Sequence, residues 1–323
     1  PEAIWATGPL VQRLNDHEGH WTPSRKMNNA DSTPQPLAMA ALDHMLYSVW
    51  IANNDSKKIY VSGTDKPLNN WPNGKTFNTH DSTPTSLATA AFGGKLYLAW
   101  KANNNSNQIF ISGTDQPLKT WPNGKTINDH DSTSQPLAMA AFNGKLYLAW
   151  KSNDDSNRIF ISGTDRPLDK WTNGKTINDH DSTPQPLAMA AFNGKLYMAW
   201  KSNDASNRIF ISGTDEPLKS WGNGRPINSV DSTPEPLAMA ASNGKLYLAW
   251  KSNDESNRIV VSSTDKPLKD WPSGEAINPN DSTPTAPALA NLGGVGNSSL
   301  CLGWKSNDNS NQIYLSAFQG IRN

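Results

Sequence analysis

Short apolar runs alternate with polar turns along this chain, and the alternation recurs at a fixed interval. In one stretch, Pro136-Leu137-Ala138-Met139-Ala140-Ala141-Phe142 is interrupted by Asn143-Gly144 and followed by Lys145-Leu146-Tyr147-Leu148-Ala149-Trp150. Asn-Gly between two apolar runs is a strong hairpin signal, because both residues tolerate the left-handed backbone of a type I′ turn. A polar segment, Ser152 to Asn157, leads to Arg158-Ile159-Phe160-Ile161-Ser162. After Gly163-Thr164-Asp165-Arg166-Pro167-Leu168, a fourth segment runs from Trp171 to Asn178. Helical repeats of similar length would need sustained 3.6-residue periodicity over about ten residues. Gly, Pro, Asn and Asp punctuate every unit too closely for that. The pattern predicts four short antiparallel strands, named here A to D in chain order.

The unit repeats six times. Trp50, Trp100, Trp150, Trp200 and Trp250 are evenly spaced, and Trp304 follows after four extra residues within a widened turn, Gly293 to Ser298. A second series runs Trp21, Trp71, Trp121, Trp171, Trp221 and Trp271, and an Asp-Ser-Thr triplet begins at Asp31, Asp81, Asp131, Asp181, Asp231 and Asp281. Only Trp5 belongs to neither indole series. Four-stranded units in series predict an all-β fold, a six-bladed β-propeller. Strand A carries small residues and suits the crowded lining of a central channel, whereas strand D, with its Lys and Thr, suits the rim. The chain ends on a strand C, Gln312 to Ser316, and begins with an unpartnered D-like segment, Trp21 to Asn28. That segment is expected to complete the last blade and close the ring, which removes an open sheet edge. Residues 1–323 then form one domain, with 1–20 an extension (Ile4 to Gly8 faintly echoing strand C), 21–28 the closing strand, and repeats from 29 to 317.

Charge changes the picture by exclusion. Lys plus Arg and Asp plus Glu are 29 each. No basic field exists to attract nucleic acid or anionic lipid, and no apolar run approaches the roughly 18 residues of a membrane span. No nucleic-acid partner and no membrane insertion are therefore expected. The first residues lack a secretory pattern; synthesis in the cytoplasm or a secreted mature chain both fit. Cys301 is the one cysteine, which rules out a disulfide framework. Four N-x-S/T sequons, at Asn54, Asn104, Asn280 and Asn297, are expected by chance in so Asn-rich a chain.

The C–D turn, Ser162-Gly163-Thr164-Asp165-Arg166-Pro167-Leu168-Asp169-Lys170-Trp171, resembles the Asp-box of sialidase-type propellers, and the copies at Asp65, Asp115, Asp215 and Asp265 agree. It departs from that pattern by one extra residue between Ser and Asp, by Pro-Leu in place of the Gly, and by a longer gap to the Trp. An Asp in a tight turn can accept backbone N–H bonds while the Trp packs beneath, so these aspartates read as structural. The repeat with its Leu-Tyr-x-Ala-Trp-Lys segments also resembles tandem-repeat bacterial and fungal propellers, and by size and blade number the six-bladed fucose-binding fungal lectins. That resemblance implies a glycan ligand.

In this arrangement the B–C turns and D-to-A crossovers share one face, which gathers the most repetitive polar chemistry. Carboxylates, amides and guanidinium groups beside an indole suit saccharides, whose hydroxyls need paired donors and acceptors and whose apolar ring face packs on an aromatic. The candidate ligand-binding residues are Trp100, Lys101 and Asn103; Asp131, Gln135, Trp150, Lys151, Asn153, Asp154 and Arg158; Asp181, Gln185, Trp200, Lys201, Asn203 and Arg208; and Asp231, Glu235, Trp250, Lys251, Asn253 and Arg258. Each class has a structural alternative. The indoles fit an interblade core, Asp-Ser-Thr fits a side-chain-to-backbone turn, and the B–C residues fit a solvated hairpin.

Metal and enzyme readings find less support. His80, His130 and His180 sit on successive blades, too far apart for one zinc site. Asp129 and Asp131 lack the glycine and distal Glu of a calcium loop. No cofactor is implied. A glycoside hydrolase needs one asymmetric pair of carboxylates, or a Tyr–Glu pair with arginines, but Glu235 and Glu255 are only variants of repeated positions. The expected function is a non-catalytic, multivalent carbohydrate-binding protein, a lectin with several similar shallow sites between blades. A propeller glycoside hydrolase and a protein-binding scaffold are the alternatives.

Overall fold

In a computed structural model, residues 19–69, 71–293 and 300–319 are described. The expected widened turn at 293–298 and the expected extension at 1–20 fall almost wholly outside them. Among the described residues every regular element is a strand, and the strands form six antiparallel sheets. Blade 3 is typical. Its strand A is Ala138–Phe142, B is Lys145–Lys151, C is Ile159–Thr164 and D is Lys175–Thr176, paired in that order. The A strands of successive blades neighbour one another in a cycle that returns from blade 6, Ala288–Asn291, to blade 1, Ala38–Leu42. The ring is a closed six-bladed propeller with A innermost.

Closure is made by the N-terminal segment. His20 and Trp21 pair with Gln319 and Phe318, and Arg25 and Lys26 pair with Leu315 and Tyr314. Thr22 reinforces the join from both sides. Its N–H donates to the Ala317 carbonyl at 2.9 Å, and its own carbonyl accepts from Ser316 Oγ at 2.7 Å. The outer strands are shorter than the sequence suggests. Trp171 to Asn178 contributes only two ladder residues. Side chains hold the rest: Ser162 Oγ donates to the Thr172 carbonyl, and Trp171 Nε1 donates to the Pro167 carbonyl at 2.8 Å.

The C–D turn also corrects the expectation for its aspartates. Thr164 Oγ1 accepts from Arg166 N at 3.0 Å and donates to the Lys170 carbonyl, while Asp165 is exposed beside Arg166. Thr64, Thr114, Thr214 and Thr264 do the same for the N–H two residues on. A hydroxyl that both donates and accepts bridges the turn in a way an ionised carboxylate cannot.

The hydrophobic cores lie between blades. In the gap between blades 2 and 3, Ala88, Tyr97, Ala99, Ile109 and Ile111 meet Leu137, Leu146, Leu148, Trp150 and Trp171. The same pairing of faces recurs around the ring, including the joint of blades 6 and 1, where buried Cys301 sits with its thiol pKa pushed up to about 12 by desolvation. A ring of six thin cores explains how a chain with so few aliphatic residues buries so many indoles.

Two backbone positions expose the tolerances. A Cβ on Gly174 would stand 2.5 Å from Trp150 Cζ2 and 2.9 Å from Asp131 Oδ1. In blade 1 the A–B turn is Asp43-His44, with φ of 49° and 63°, where blade 3 has Asn143-Gly144. Gly174→Ala is expected to destabilise the fold by about 2 kcal/mol through overpacking. His44→Gly is expected to stabilise it by about 1 kcal/mol by relieving a left-handed side-chain-bearing residue. Urea unfolding of each variant against the parent measures both.

Candidate functional site

The face carrying the B–C turns and crossovers is built from three repeated devices. The first is a clasp. Asn78 Oδ1 accepts from the N–H groups of His80 and Asp81 at 3.0 and 2.8 Å, folding the crossover into a tight turn. Asn78 Nδ2 donates to Asp81 Oδ2 at 2.7 Å, and that same oxygen accepts Gly124 N at 2.8 Å from strand D of the next blade. Asp131, Asp181 and Asp231 repeat it on Gly174, Gly224 and Gly274. These three candidate carboxylates are thus committed to joining blades. The Thr of each triplet is buried, with Thr133 Oγ1 accepting Gln135 N at 3.1 Å and donating to the Lys151 carbonyl at 3.1 Å.

The second device is the indole behind each clasp. Trp100, Trp150, Trp200 and Trp250 are only 1–2% exposed. Stacking a sugar on their faces is corrected by this packing. Trp100, Trp150 and Trp200 lie near-parallel to Phe110, Phe160 and Phe210 of strand C, Trp250 pairs with Val260 instead, and each of the four fills the space left by a glycine.

The third is the B–C hairpin. Asp154 Oδ1 accepts Ser152 Oγ at 2.7 Å and Ser156 N at 3.1 Å, and also bonds Ser156 Oγ. Asp204, Asp254 and Asp308 repeat the arrangement. The exposed amides link hairpins of adjacent blades: Asn107 Nδ2 donates to Asn153 Oδ1 at 3.4 Å, Asn157 to Asn203 and Asn207 to Asn253 at 3.1 Å each. Asn103 instead donates to Ser82 Oγ at 3.0 Å. Arg158, Arg208 and Arg258 are exposed, the first 3.8 Å from Asp179 and the last 3.7 Å from Asp254.

Nearer the centre, Lys101 and Lys201 are buried at the end of strand B, and Lys151 and Lys251 are half-buried. The ammonium groups of Lys101, Lys151 and Lys201 donate to the carbonyl of the next residue. Burial lowers the pKa of Lys101 and Lys201. Gln135, Gln185 and Glu235 lead into strand A beside them. Burial raises the pKa of Glu235 against the opposing influence of Lys251 and Lys201.

These devices leave open a cavity of about 340 Å³ in blade 6, lined by Asn280, Asp281, Ser282, Trp304, Ser306, Asn307, Asp308 and Tyr314. Here Asp281 meets Ser24 Oγ at 2.7 Å, because the N-terminal segment supplies strand D with Ser where Gly74 stands in blade 1. Burial, then the charges of Asp308 and Asp281 that share the cavity lining, raises the Tyr314 phenol pKa. Sequence reasoning missed these eight residues by leaving the sixth copy out. Trp304, Asn307 and Asp308 are the counterparts of Trp150, Asn153 and Asp154 once the four extra residues are allowed for.

The clasp and hairpin yield two expectations. Asp181→Ala should cost about 2 kcal/mol of stability, since it removes charge-assisted bonds and strands buried donors. Chemical unfolding reads the loss directly. Bonds from Ser256 and Ser252 hold Asp254 at a pKa of about 2, against an ordinary 3.8. Its stabilisation is complete above the ordinary value and is lost as pH falls through about 2. Ser256→Ala should move that titration back toward the ordinary value, followed by NMR of the carboxyl carbon.

No family model and no curated protein matches the sequence. Solved structures do match in shape. A protein of unknown function from Dyadobacter fermentans aligns with TM-score 0.68 at 9% identity, over 92% of this chain and 99% of that one. The NanB sialidase of Streptococcus pneumoniae aligns with TM-score 0.65 at 11% identity, over 93% and 71%. A lectin of Aleuria aurantia aligns with TM-score 0.61 at 14% identity, over 92% and 99%. By fold the chain is a six-bladed β-propeller similar to those of the NanB sialidase and of the Aleuria aurantia lectin.

Proposed function

We propose that this propeller is a carbohydrate-binding protein without catalytic activity, which takes saccharides in the grooves between blades. The observation that carries the reading is the blade 6 cavity. It is the size of a small sugar and combines the part-exposed Tyr314 ring, with buried Trp304 behind it, with amide, hydroxyl and carboxylate groups. Such a lining offers paired donors and acceptors beside an aromatic surface. The Aleuria aurantia lectin, similar in fold, was solved with Fucα1-6GlcNAc bound. Repetition adds to the argument, since several weak sites on one rigid body raise avidity without new contacts.

Glycan-array binding followed by isothermal titration with the best sugar tests the proposal. Tyr314→Ala and Asn307→Ala are expected to weaken binding at this site at least tenfold while the fold persists. An array without signal, or affinity indifferent to both substitutions, would sink it. The hydrolase reading draws on the sialidase neighbours. Turnover of fluorogenic glycosides, abolished by one substitution, would displace the binding reading.

A further inference from the structure

The six gaps between blades differ in one respect that their shared packing conceals: the balance of charge where strand B ends. Between blades 4 and 5, Lys201 and Lys251 flank Glu235, and the carboxylate interacts with both. Asp204 of the adjoining hairpin adds a second negative group near Lys201. Between blades 2 and 3, Lys101 and Lys151 occupy the same positions, but Gln135 stands where Glu235 does and Asn104 where Asp204 does. Lys57 lies close enough to Lys101 to repel it.

Lys101 is only 9% exposed. Its ammonium carries three N–H donors, and among the described residues it bonds to the Ala102 carbonyl at 3.1 Å. A buried ammonium without a counter-charge is costly, and proteins meet that cost by pairing it. Between blades 4 and 5 the counter-charge is Glu235, whose carboxylate lies within electrostatic reach of Lys201 and Lys251. Gln135 is part-exposed, so the corresponding place between blades 2 and 3 opens to solvent.

We infer that the gap between blades 2 and 3 binds the anionic group of an acidic saccharide, a sugar carboxylate or sulfate, on Lys101 and Lys151, where Glu235 supplies an internal carboxylate two blades away. This rests on the carbohydrate-binding reading and extends it to a ligand class the blade 6 cavity, with its own two aspartates, does not favour. Gln135 amide and hydroxyls of the adjoining hairpin would hold the neutral remainder of the ring.

The fold itself supplies the variants. Ile51 occupies the position of Lys101 in blade 1, so Lys101→Ile keeps a side chain the architecture already accepts. Gln135→Glu copies blade 5 into blade 3, and Glu235→Gln does the reverse. Isothermal titration uses glucuronic acid and galactose 6-sulfate, each beside its neutral parent, glucose or galactose; the two acids separate carboxylate from sulfate recognition. At least one acid is expected to bind tenfold or more tightly than its parent. That preference should disappear in Lys101→Ile and in Gln135→Glu, and Glu235→Gln should add a second site of similar affinity. Acid binding that survives Lys101→Ile and Gln135→Glu unchanged would overturn the assignment. So would neutral sugars binding while both acids show no advantage, which leaves the broader carbohydrate reading standing. No binding of acids or parents, joined to a silent glycan array, would bring down both.

Discussion

The structure depends on the joint between blades, where an indole, a glycine and an aspartate meet. Trp150 lies flat in its gap because Gly174 has no Cβ, and Asp131 reaches across from the crossover to hold the Gly174 N–H. Packing and hydrogen bonding thus act on the same few atoms. Neither partner tolerates enlargement, and the carboxylate satisfies a backbone donor that would otherwise be lost beneath the indole. Five such joints are alike. The sixth uses Ser24 and the N-terminal segment, so closure replaces one member of the triad while keeping its aspartate.

That joint decides where ligands can be received. Carboxylates and indoles committed to holding blades together are withdrawn from the surface, which leaves the hairpin amides, the strand B lysines and the residues leading into strand A as the variable chemistry. Some of the variation among copies falls there and on strand C. Ile51 against Lys101, Gln135 against Glu235, and Phe160 against Tyr314 change charge or polarity without disturbing the packing beneath. A propeller built this way can differ from gap to gap in what it recognises while remaining uniform in how it folds.

Part of this was legible in the residues themselves. Blade number, strand order, the innermost position of strand A and closure by the N-terminal segment follow from periodicity, residue size and an unpartnered end. These are local properties, and each copy reports them again. The candidate site was less legible, because Trp, Asp and Asn suit a sugar site and an interblade joint equally well by residue type. The structure sends Asp131, Asp181 and Asp231 to the joint and Trp100 to the core.

Sequence by itself determined the ring: a period of fifty residues, turns that only Asn and Gly make easily, and an end that needs a partner. Tertiary structure decided the roles. Thr164 rather than Asp165 bridges the C–D turn, strand D shrinks to two residues, and a cavity opens in blade 6. The first two turn on which polar group reaches a particular backbone atom once strands C and D are paired, which residue type alone does not fix; the third depends on contacts between residues about forty or more positions apart, across a gap whose shape exists only once both blades are in place.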